Sequence, residues 1–353
     1  MKMITLAQYC LRGVGHDLSY HQALQDLQGD VFEEVITYLP KTHSIPHLSS
    51  SWQRFFSVPK RRFEMFPLRL LDYFRMYRLA HQPTVFFLET FNLQDVIALL
   101  VSTFICAKQH HRLYVLYRDG KEWSFWRKGI QRLISRCLDW RLGKRYVIFT
   151  DSELVAKSVA MRHKKAIVLP IPHTEIKQQK LIKEDTLNLW FPGAPRVEKG
   201  IYWIQHLAKT LLDDEVVLMV SREADIRDSQ LKIEFLEPFM PREEYLKTLH
   251  RSHVILLPYD EKLYCSRTSG PFVEAIVAGK WVLTVKGTWM AYELLRFGLG
   301  DLVVDWENDL FFEHLKFLMR DPLMQDKMEK MQQCYLRFHS QKSFKSCLKT
   351  SCV

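Results

Sequence analysis

Paired cysteines, long apolar runs and a complete glycine fingerprint are all missing from this 353-residue chain. Its seven cysteines are odd in number and scattered, with no two at C-x-x-C spacing. That pattern points to reduced thiols and a cytoplasmic setting, and it leaves zinc without ligands at finger-like spacing. The longest apolar run covers residues 96–107, about 12 residues, against the roughly 20 that a bilayer span needs. Asn92 stands ahead of that run and Asp95 falls in its first turn, so it predicts a capped, buried helix rather than a membrane segment. At the amino terminus a single Lys2 precedes an apolar stretch that Gln8 interrupts, which is not the pattern of a signal peptide. Gly13-Val14-Gly15 begins like a dinucleotide-binding fingerprint, but Leu18 stands where the third glycine belongs. Acidic residues are in short supply: 40 Asp and Glu face 50 Lys and Arg, for a net charge of +10 and a pI near 9.1. A surplus of this kind keeps a protein in solution, and it also attracts polyanions such as membrane lipid or nucleic acid.

At this length two domains are the natural expectation, and a hydrophobic content of 47% suffices for two cores. Apolar, β-branched runs recur at 3–8, 31–39, 84–88, 113–117, 146–150 and 165–169, with helical patterns between most of them. The second half repeats the style, with runs at 186–191, 216–220, 233–236, 254–257, 281–285 and 302–304. Helical patterns there cover 201–212, 242–251, 272–278, 290–297 and 310–319. Strands alternating with helices predict an α/β chain with parallel, doubly wound sheets. Residues 174–185 are polar and show no packing pattern, so they predict a linker between an N-terminal domain over 1–173 and a C-terminal domain over 186–335. The tail, 336–353, turns polar and lysine-rich.

One segment is richer than the rest: Cys265-Ser266-Arg267-Thr268-Ser269-Gly270-Pro271-Phe272-Val273-Glu274, running on to Gly279-Lys280. It lies between two apolar strands. Ser269-Gly270 opens a short helix with Pro271 at its first position and Gly279 just past its end, the favoured start and stop. A helix amino terminus offers unpaired N–H groups and a partial positive charge to a phosphate. Glu274, one turn in, is placed to accept hydrogen bonds from a ligand hydroxyl. Phosphate donors followed by a carboxylate suit a nucleotide or a nucleotide-sugar.

This segment resembles the donor-binding region of the GT-B glycosyltransferases with a Glu-x7-Glu signature, the family 4-like group. In that resemblance Glu274 is the second acid, which contacts the nucleotide ribose. The first acid falls on Ser266, a departure, so its role near the sugar is filled otherwise or lost. The run from Leu189 to Gly200 resembles the family's second-domain opening, where an Arg and a Lys bind the donor diphosphate; Arg196 and Lys199 match those places. On spacing alone the same two residues are equally well a pair of exposed cations on a loop. Arg267 and Thr268 are implied to assist the phosphate or sugar, beside Ser269 and Gly270. In the first domain Gly13-Val14-Gly15-His16 resembles the family's first loop, with Gly15 near the donor phosphate and His16 near the sugar or acceptor; a lone His at such a junction is also commonly a cap or surface group. Family members often carry a His after the strand ending at Tyr117, whereas this chain has Arg118-Asp119-Gly120 there. Asp119 is a candidate base or acceptor-positioning group, though an Asp-Gly pair also reads as a plain turn. His16, Arg118 and Asp119 are thus the candidate catalytic residues.

Two basic, aromatic stretches complete the inventory. Residues 52–81 hold seven Lys and Arg interleaved with Phe55, Phe56, Phe63, Phe66, Tyr73, Phe74 and Tyr77. Residues 121–145 hold eight, with Trp126, Ile130, Leu133, Ile134, Cys137 and Leu138 at helical spacing. A core-facing helix with a solvated basic face accounts for the second stretch. The number of aromatics in the first favours contact with an anionic membrane surface, where each cation adds about 1 kcal/mol.

The resemblance therefore implies two Rossmann-like domains facing each other across a cleft, with an acceptor on the first and a nucleotide-diphosphate sugar on the second. The tail is expected to pack back on the first domain. No cofactor or metal is expected beyond the donor itself, since Arg196, Lys199, Ser269 and Gly270 would stabilise the leaving diphosphate. The expected acceptor is a lipid-linked species or a glycan at the cytoplasmic face of a membrane, and the expected stereochemical outcome is retention. Specific nucleic-acid binding is not expected, because no RNA-binding signature accompanies the basic stretches. A catalytically silent member that keeps the nucleotide site as a binding or scaffolding subunit is the alternative.

Overall fold

The structure is a computed structural model that describes residues 1–10, 16–45, 49–118, 125–159, 165–172, 174, 176, 186–307 and 311–352. Two compact units make up the chain: Met1–His173 together with Gln341–Val353, and Thr174–Ser340.

The first unit is a seven-stranded parallel sheet. Its elements run β1 (Lys2–Leu6), α1 (His16–Gln25), β2 (Glu34–Pro40), β3 (Trp52–Phe56), α2 (Met65–Leu79), β4 (Thr84–Leu88), α3 (Leu93–Cys106), β5 (His111–Tyr117), α4 (Phe125–Leu142), β6 (Tyr146–Thr150), α5 (Glu153–Val159) and β7 (Ile167–Val168). The strand order is β3-β2-β1-β4-β5-β6-β7, so the winding reverses between β1 and β4. Successive residues on each strand bury on opposite faces, as the pleat requires. Ile4, Leu6, Phe86, Leu88, Leu113 and Val115 pack with α2, α3 and α4 on one face. Met3, Val85, Phe87, Tyr114, Leu116 and Phe149 pack on the other. Helix α3 starts on a full capping box: Asn92 accepts from the Asp95 amide while the Asp95 carboxylate accepts from the Asn92 amide.

The second unit repeats the plan with five parallel strands. It contains β8 (Leu187–Trp190), α6 (Ile201–Thr210), β9 (Val216–Ser221), β10 (Lys232–Leu236), α7 (Arg242–Arg251), β11 (Val254–Leu257), α8 (Glu261–Tyr264), α9 (Gly270–Val277), β12 (Trp281–Thr284), α10 (Trp289–Arg296), α11 (Phe311–Leu318) and α12 (Pro322–Phe338). The order β10-β9-β8-β11-β12 puts the reversal between β8 and β11. The run at 302–304 is not a strand. A 3-10 turn over Gly300–Leu302 is followed by a single bridge between Thr284 and Val303.

The chain then returns to the first unit as α13 (Gln341–Cys352). This helix looks polar in sequence because few of its residues bury. Phe344 and Leu348, four apart and fully buried, share one stripe and close the second face of the first sheet. Lys345 and Lys349 both reach Asp30, at 2.9 and 2.7 Å. The Ser351 carbonyl accepts from the Tyr114 hydroxyl and from Arg112.

Of the aromatics in 52–81, Phe55, Phe56, Tyr73 and Tyr77 lie in the core, on β3 and the inner face of α2. Arg69 in the same stretch is buried and paired with Asp72 and Asp95. Phe63, Leu71 and Leu79 of this stretch are exposed, and further apolar residues reach solvent on α3 and α4. Phe104 and Trp140 stack across the two helices at 5.8 Å, and Trp140 is 80% exposed. Ile105 and Leu133 extend this patch, and Arg132, Arg136 and Lys144 are exposed on α4 and just after it.

Truncating the buried Phe344 should destabilise the protein by about 3–5 kcal/mol, the usual cost of emptying an aromatic core site. Urea unfolding of Phe344→Ala, followed by circular dichroism, measures this; an unchanged midpoint would mean that α13 is not part of the first core.

Candidate functional site

Open parallel sheets bind ligands beyond the carboxyl ends of the strands on either side of the winding reversal. In the second unit those strands are β8 and β11, and the loops that leave them carry most of the residues singled out from the sequence. Two close contacts lock the loops together. Gly200 adopts a φ of +75°, and a Cβ there would lie 2.0 Å from the Pro258 carbonyl oxygen, so the position admits only glycine. The Asp260 amide donates to the Glu198 carbonyl at 3.0 Å.

Between these loops stands the buried ring of Tyr259. The Lys199 ammonium lies 5.9 Å from its centroid, the Ser269 hydroxyl bonds its phenol, and the Arg196 and Arg267 charges act on it. Arg267 also lies over the Tyr264 ring at 5.4 Å, and that ring packs on Tyr259. Arg196 pairs with Glu198 at 3.2 Å and keeps 57% of its side chain exposed. Three cations therefore gather around one ring, with Glu198 as the one nearby carboxylate that acts on Lys199. Lys199 registers the crowding. Burial pushes its ammonium down to about 8, the Arg196 and Arg267 charges add to the effect, and Glu198 opposes it. Gly193, at a φ of +80°, leaves the space beside the ammonium: a Cβ there would sit 3.2 Å from Nζ.

Helix α9 begins at the edge of this cluster. Ser269 caps it by accepting from the Phe272 amide at 3.3 Å, the Val273 amide bonds the Ser269 carbonyl, and Pro271 has no N–H. The Gly270 amide is what the first turn has left to offer an anion. Thr268 lies in the same loop, and Ser266, where the family's first acid belongs, is buried.

One turn into α9, Glu274 is 0% exposed. Its Oε1 accepts from Arg242 Nη1 at 2.6 Å, across 32 residues of sequence. Arg242 is the first residue of α7 and lies over the Tyr245 ring at 5.3 Å. The Tyr245 phenol also donates to this carboxylate. Burial and the neighbouring Glu274 charge hold the Tyr245 phenol well above its ordinary pKa. Neither Arg242 nor Tyr259 stood out in the sequence. Arg242 opens a helix like many other arginines, and Tyr259 follows a strand with no motif of its own; only strand order brings either to the site.

In the first unit Gly15 and Asp119 lie outside the described residues, and His16 is described only as the first residue of α1. Arg118 leaves the end of β5 and pairs through Nη2 with Glu89, just past β4, at 3.1 Å. Its guanidinium lies 4.5 Å from the Tyr20 ring centroid. Glu89 is buried and its other oxygen meets His21 Nε2 at 2.9 Å, while His21 Nδ1 is 3.2 Å from the Thr5 hydroxyl. Burial works against the Glu89 charge, yet His21 and Arg118 together hold its pKa below the usual carboxylate value. His21 is a further residue that sequence reasoning did not single out. Among the described residues no group of three His, Cys, Asp or Glu side chains is placed to hold a metal ion, and no helix is long and apolar enough to cross a membrane.

No protein-family model matches the sequence, and no curated protein matches it. Solved structures do. Sucrose-phosphate synthase from Thermosynechococcus elongatus aligns with a TM-score of 0.69 at 11% identity, covering 99% of this chain and 98% of that one. HepE of Anabaena, solved with UDP and glucose, gives 0.67 at 10% identity over 100% and 99% of the two chains. A UDP-N-acetylglucosamine 2-epimerase gives 0.58 at 13% identity over 94% and 90%. The fold is GT-B.

An anion held by Lys199 needs the ammonium protonated, so affinity should fall as pH rises through about 8 and beyond. Calorimetric titration with a nucleoside diphosphate (UDP, GDP or ADP, whichever responds) between about pH 7.5 and about pH 9, above the last ionisation of its phosphates at about 6, checks this. Lys199→Gln is expected to bind more weakly and to lose that decline.

Proposed function

We propose that this chain is a glycosyltransferase that moves a sugar from a nucleotide-diphosphate donor to an acceptor hydroxyl. The observation that carries the reading is the gathering of Arg196, Lys199 and Arg267 around Tyr259 at the winding reversal, next to the Gly270 amide. Such a cluster suits a diphosphate. As the bond between the anomeric carbon and the diphosphate oxygen breaks, negative charge grows on the departing nucleoside diphosphate, and fixed cations that meet it lower the barrier. In this proposal those three side chains neutralise the leaving group without a metal. Thr268 and Ser269 border the phosphates, and Glu274 receives the ribose hydroxyls. The acceptor oxygen forms the new bond and releases its proton to a base, for which His16 and Asp119 are the candidates; Arg118 is the further catalytic candidate, and Gly15 is proposed to approach the donor phosphate. Retention of anomeric configuration is the proposed outcome. HepE was solved with UDP and glucose and a trehalose-6-phosphate protein from E. coli with UDP-2-fluoro glucose, which supports a nucleotide-sugar as donor.

The proposed acceptor is lipid-linked or a glycan at the cytoplasmic face of a membrane. Support for membrane contact comes from the α3–α4 patch of Phe104, Ile105, Leu133 and Trp140 with its flanking arginines. Flotation with anionic vesicles should carry the protein upward. Replacing Leu133 and Trp140 by Ser should reduce that, and an equal recovery on zwitterionic vesicles would count against the charge component.

A second reading has one specific observation behind it. Ser266 supplies no charge where the family's first acid would stand, which suits a member that binds nucleotide without transferring sugar. A thermal-shift panel of nucleoside diphosphates and their sugars tests both readings, since a ligand at 100 times its Kd adds about 2.7 kcal/mol of stability. Arg196→Ala and Lys199→Ala should each weaken the responding ligand about 10- to 100-fold, the range of one charge-assisted hydrogen bond. A response with sugar transfer or donor hydrolysis supports the enzyme, a response without either supports the silent member, and a flat panel removes both.

A further inference from the structure

We propose that Tyr259 is a positioning residue of the diphosphate site, its ring face holding the Lys199 ammonium charged and in place beside the amino end of α9. This rests on the diphosphate reading of the same site and adds to it a residue to which the sequence resemblance gives no part.

A buried ammonium ordinarily takes a carboxylate partner or gives up its proton. Lys199 is 9% exposed, and among the described residues none accepts a hydrogen bond from its Nζ. Glu198 acts on it only through space while pairing with Arg196, and the Arg196 and Arg267 charges work against it. What faces the ammonium is the Tyr259 ring, whose centroid lies 5.9 Å away. An aromatic face is negative and attracts a cation without neutralising it, the more so where water is excluded. Tyr259 is itself buried, so its ring offers such a place. An ammonium held in this way keeps its N–H donors for an incoming anion.

The backbone fixes the pair from both sides. Gly200 passes the Pro258 carbonyl with no room for a Cβ, and the Asp260 amide donates to the Glu198 carbonyl at 3.0 Å. The residues flanking Tyr259 are thus locked to the residues flanking Lys199. The far end of the ring is anchored as well. Its phenol bonds the Ser269 hydroxyl, which caps α9 by accepting from the Phe272 amide. The Tyr264 ring, over which Arg267 lies, packs on Tyr259 at 4.5 Å. One side chain therefore sets Lys199 against both the start of α9 and Arg267.

The test separates the charge of the ring face from its shape. Tyr259→Phe keeps the face and removes the phenol, whereas pentafluorophenylalanine at the same position keeps the shape and turns the face positive. Neither empties the core, and each is made with Lys199 intact and with Lys199→Gln. Whichever of UDP, GDP and ADP binds wild type is titrated calorimetrically between about pH 7.5 and about pH 9. Tyr259→Phe is expected to bind within about fivefold of wild type, since it loses one neutral hydrogen bond. The fluorinated ring should bind about 3- to 30-fold more weakly than Tyr259→Phe, the range of one cation–π contact. Its affinity should also begin to fall at a lower pH, because an ammonium without that face loses its proton more readily. With Lys199→Gln the two rings should agree within about twofold. Equal affinity of the two rings beside an intact Lys199 overturns the proposal, and so does a difference that survives Lys199→Gln. A Tyr259→Phe loss as large as that of Lys199→Gln also overturns it, since the phenol and not the ring face would then be the device. Each of these results leaves the diphosphate site standing. Failure of wild type to bind any of the three nucleotides overturns that reading together with this inference.

Discussion

The second unit depends on how closely two loops can approach. The chain leaves β8, turns through Gly200 and passes the Pro258 carbonyl with no room for a side chain. That approach, with the Asp260–Glu198 backbone bond, brings Lys199 and Arg196 from one loop against Tyr259 and Arg267 from the other. Like charges brought together in this way repel. The fold tolerates them because Tyr259 and Tyr264 offer ring faces and Glu198 supplies one countercharge, while burial adds to the cost of the Lys199 charge. A surplus of cations held rigidly at a strand end is poorly explained by stability and well explained by an anionic ligand.

The two units handle buried charge differently. Around Tyr259 cations predominate, whereas in the first unit Glu89 is balanced by His21 and Arg118. A further network ties Arg69 to Asp95 and Asp72, with Tyr9 donating to Asp95 at 2.5 Å. Burial raises the pKa of both Asp72 and Asp95, against the pull of Arg69. Balanced networks of this kind fix geometry near strand ends with no call for an outside ion, and the contrast agrees with the diphosphate site proposed for the second unit.

Much of the fold is legible in the sequence because parallel strands buried on both faces leave continuous apolar runs. The runs at 84–88, 146–150 and 254–257 coincide with β4, β6 and β11, and the Asn92/Asp95 pair marks the start of α3. Strand β3 escaped notice because it lies at the sheet edge, where Gln53 and Arg54 face solvent and only Phe55 and Phe56 bury. Helix α13 escaped because two apolar residues suffice to dock it. The aromatics of 52–81 divide between core and surface, with Phe55, Phe56, Tyr73 and Tyr77 buried and Phe63 exposed, while Trp140, which drew no attention, is the most exposed apolar residue described on α4. At the site, Arg196, Lys199, Arg267, Ser269 and Glu274 were visible as loop and helix-start residues. That Glu274 meets Arg242 was not, since a separation of 32 positions carries no local pattern that couples them.

Helix α13 carries an implication for biogenesis. A ribosome delivers the seven-strand layer first, yet one side of that layer, already packed by Tyr20, Leu24 and Leu27, lacks the rest of its cover until residues 341–352 emerge, after the whole five-strand layer has been made. Synthesis at about 5–20 residues per second leaves apolar side chains such as Tyr114 and Phe149 without their last cover for many seconds, a window in which a nascent chain invites chaperones or aggregation.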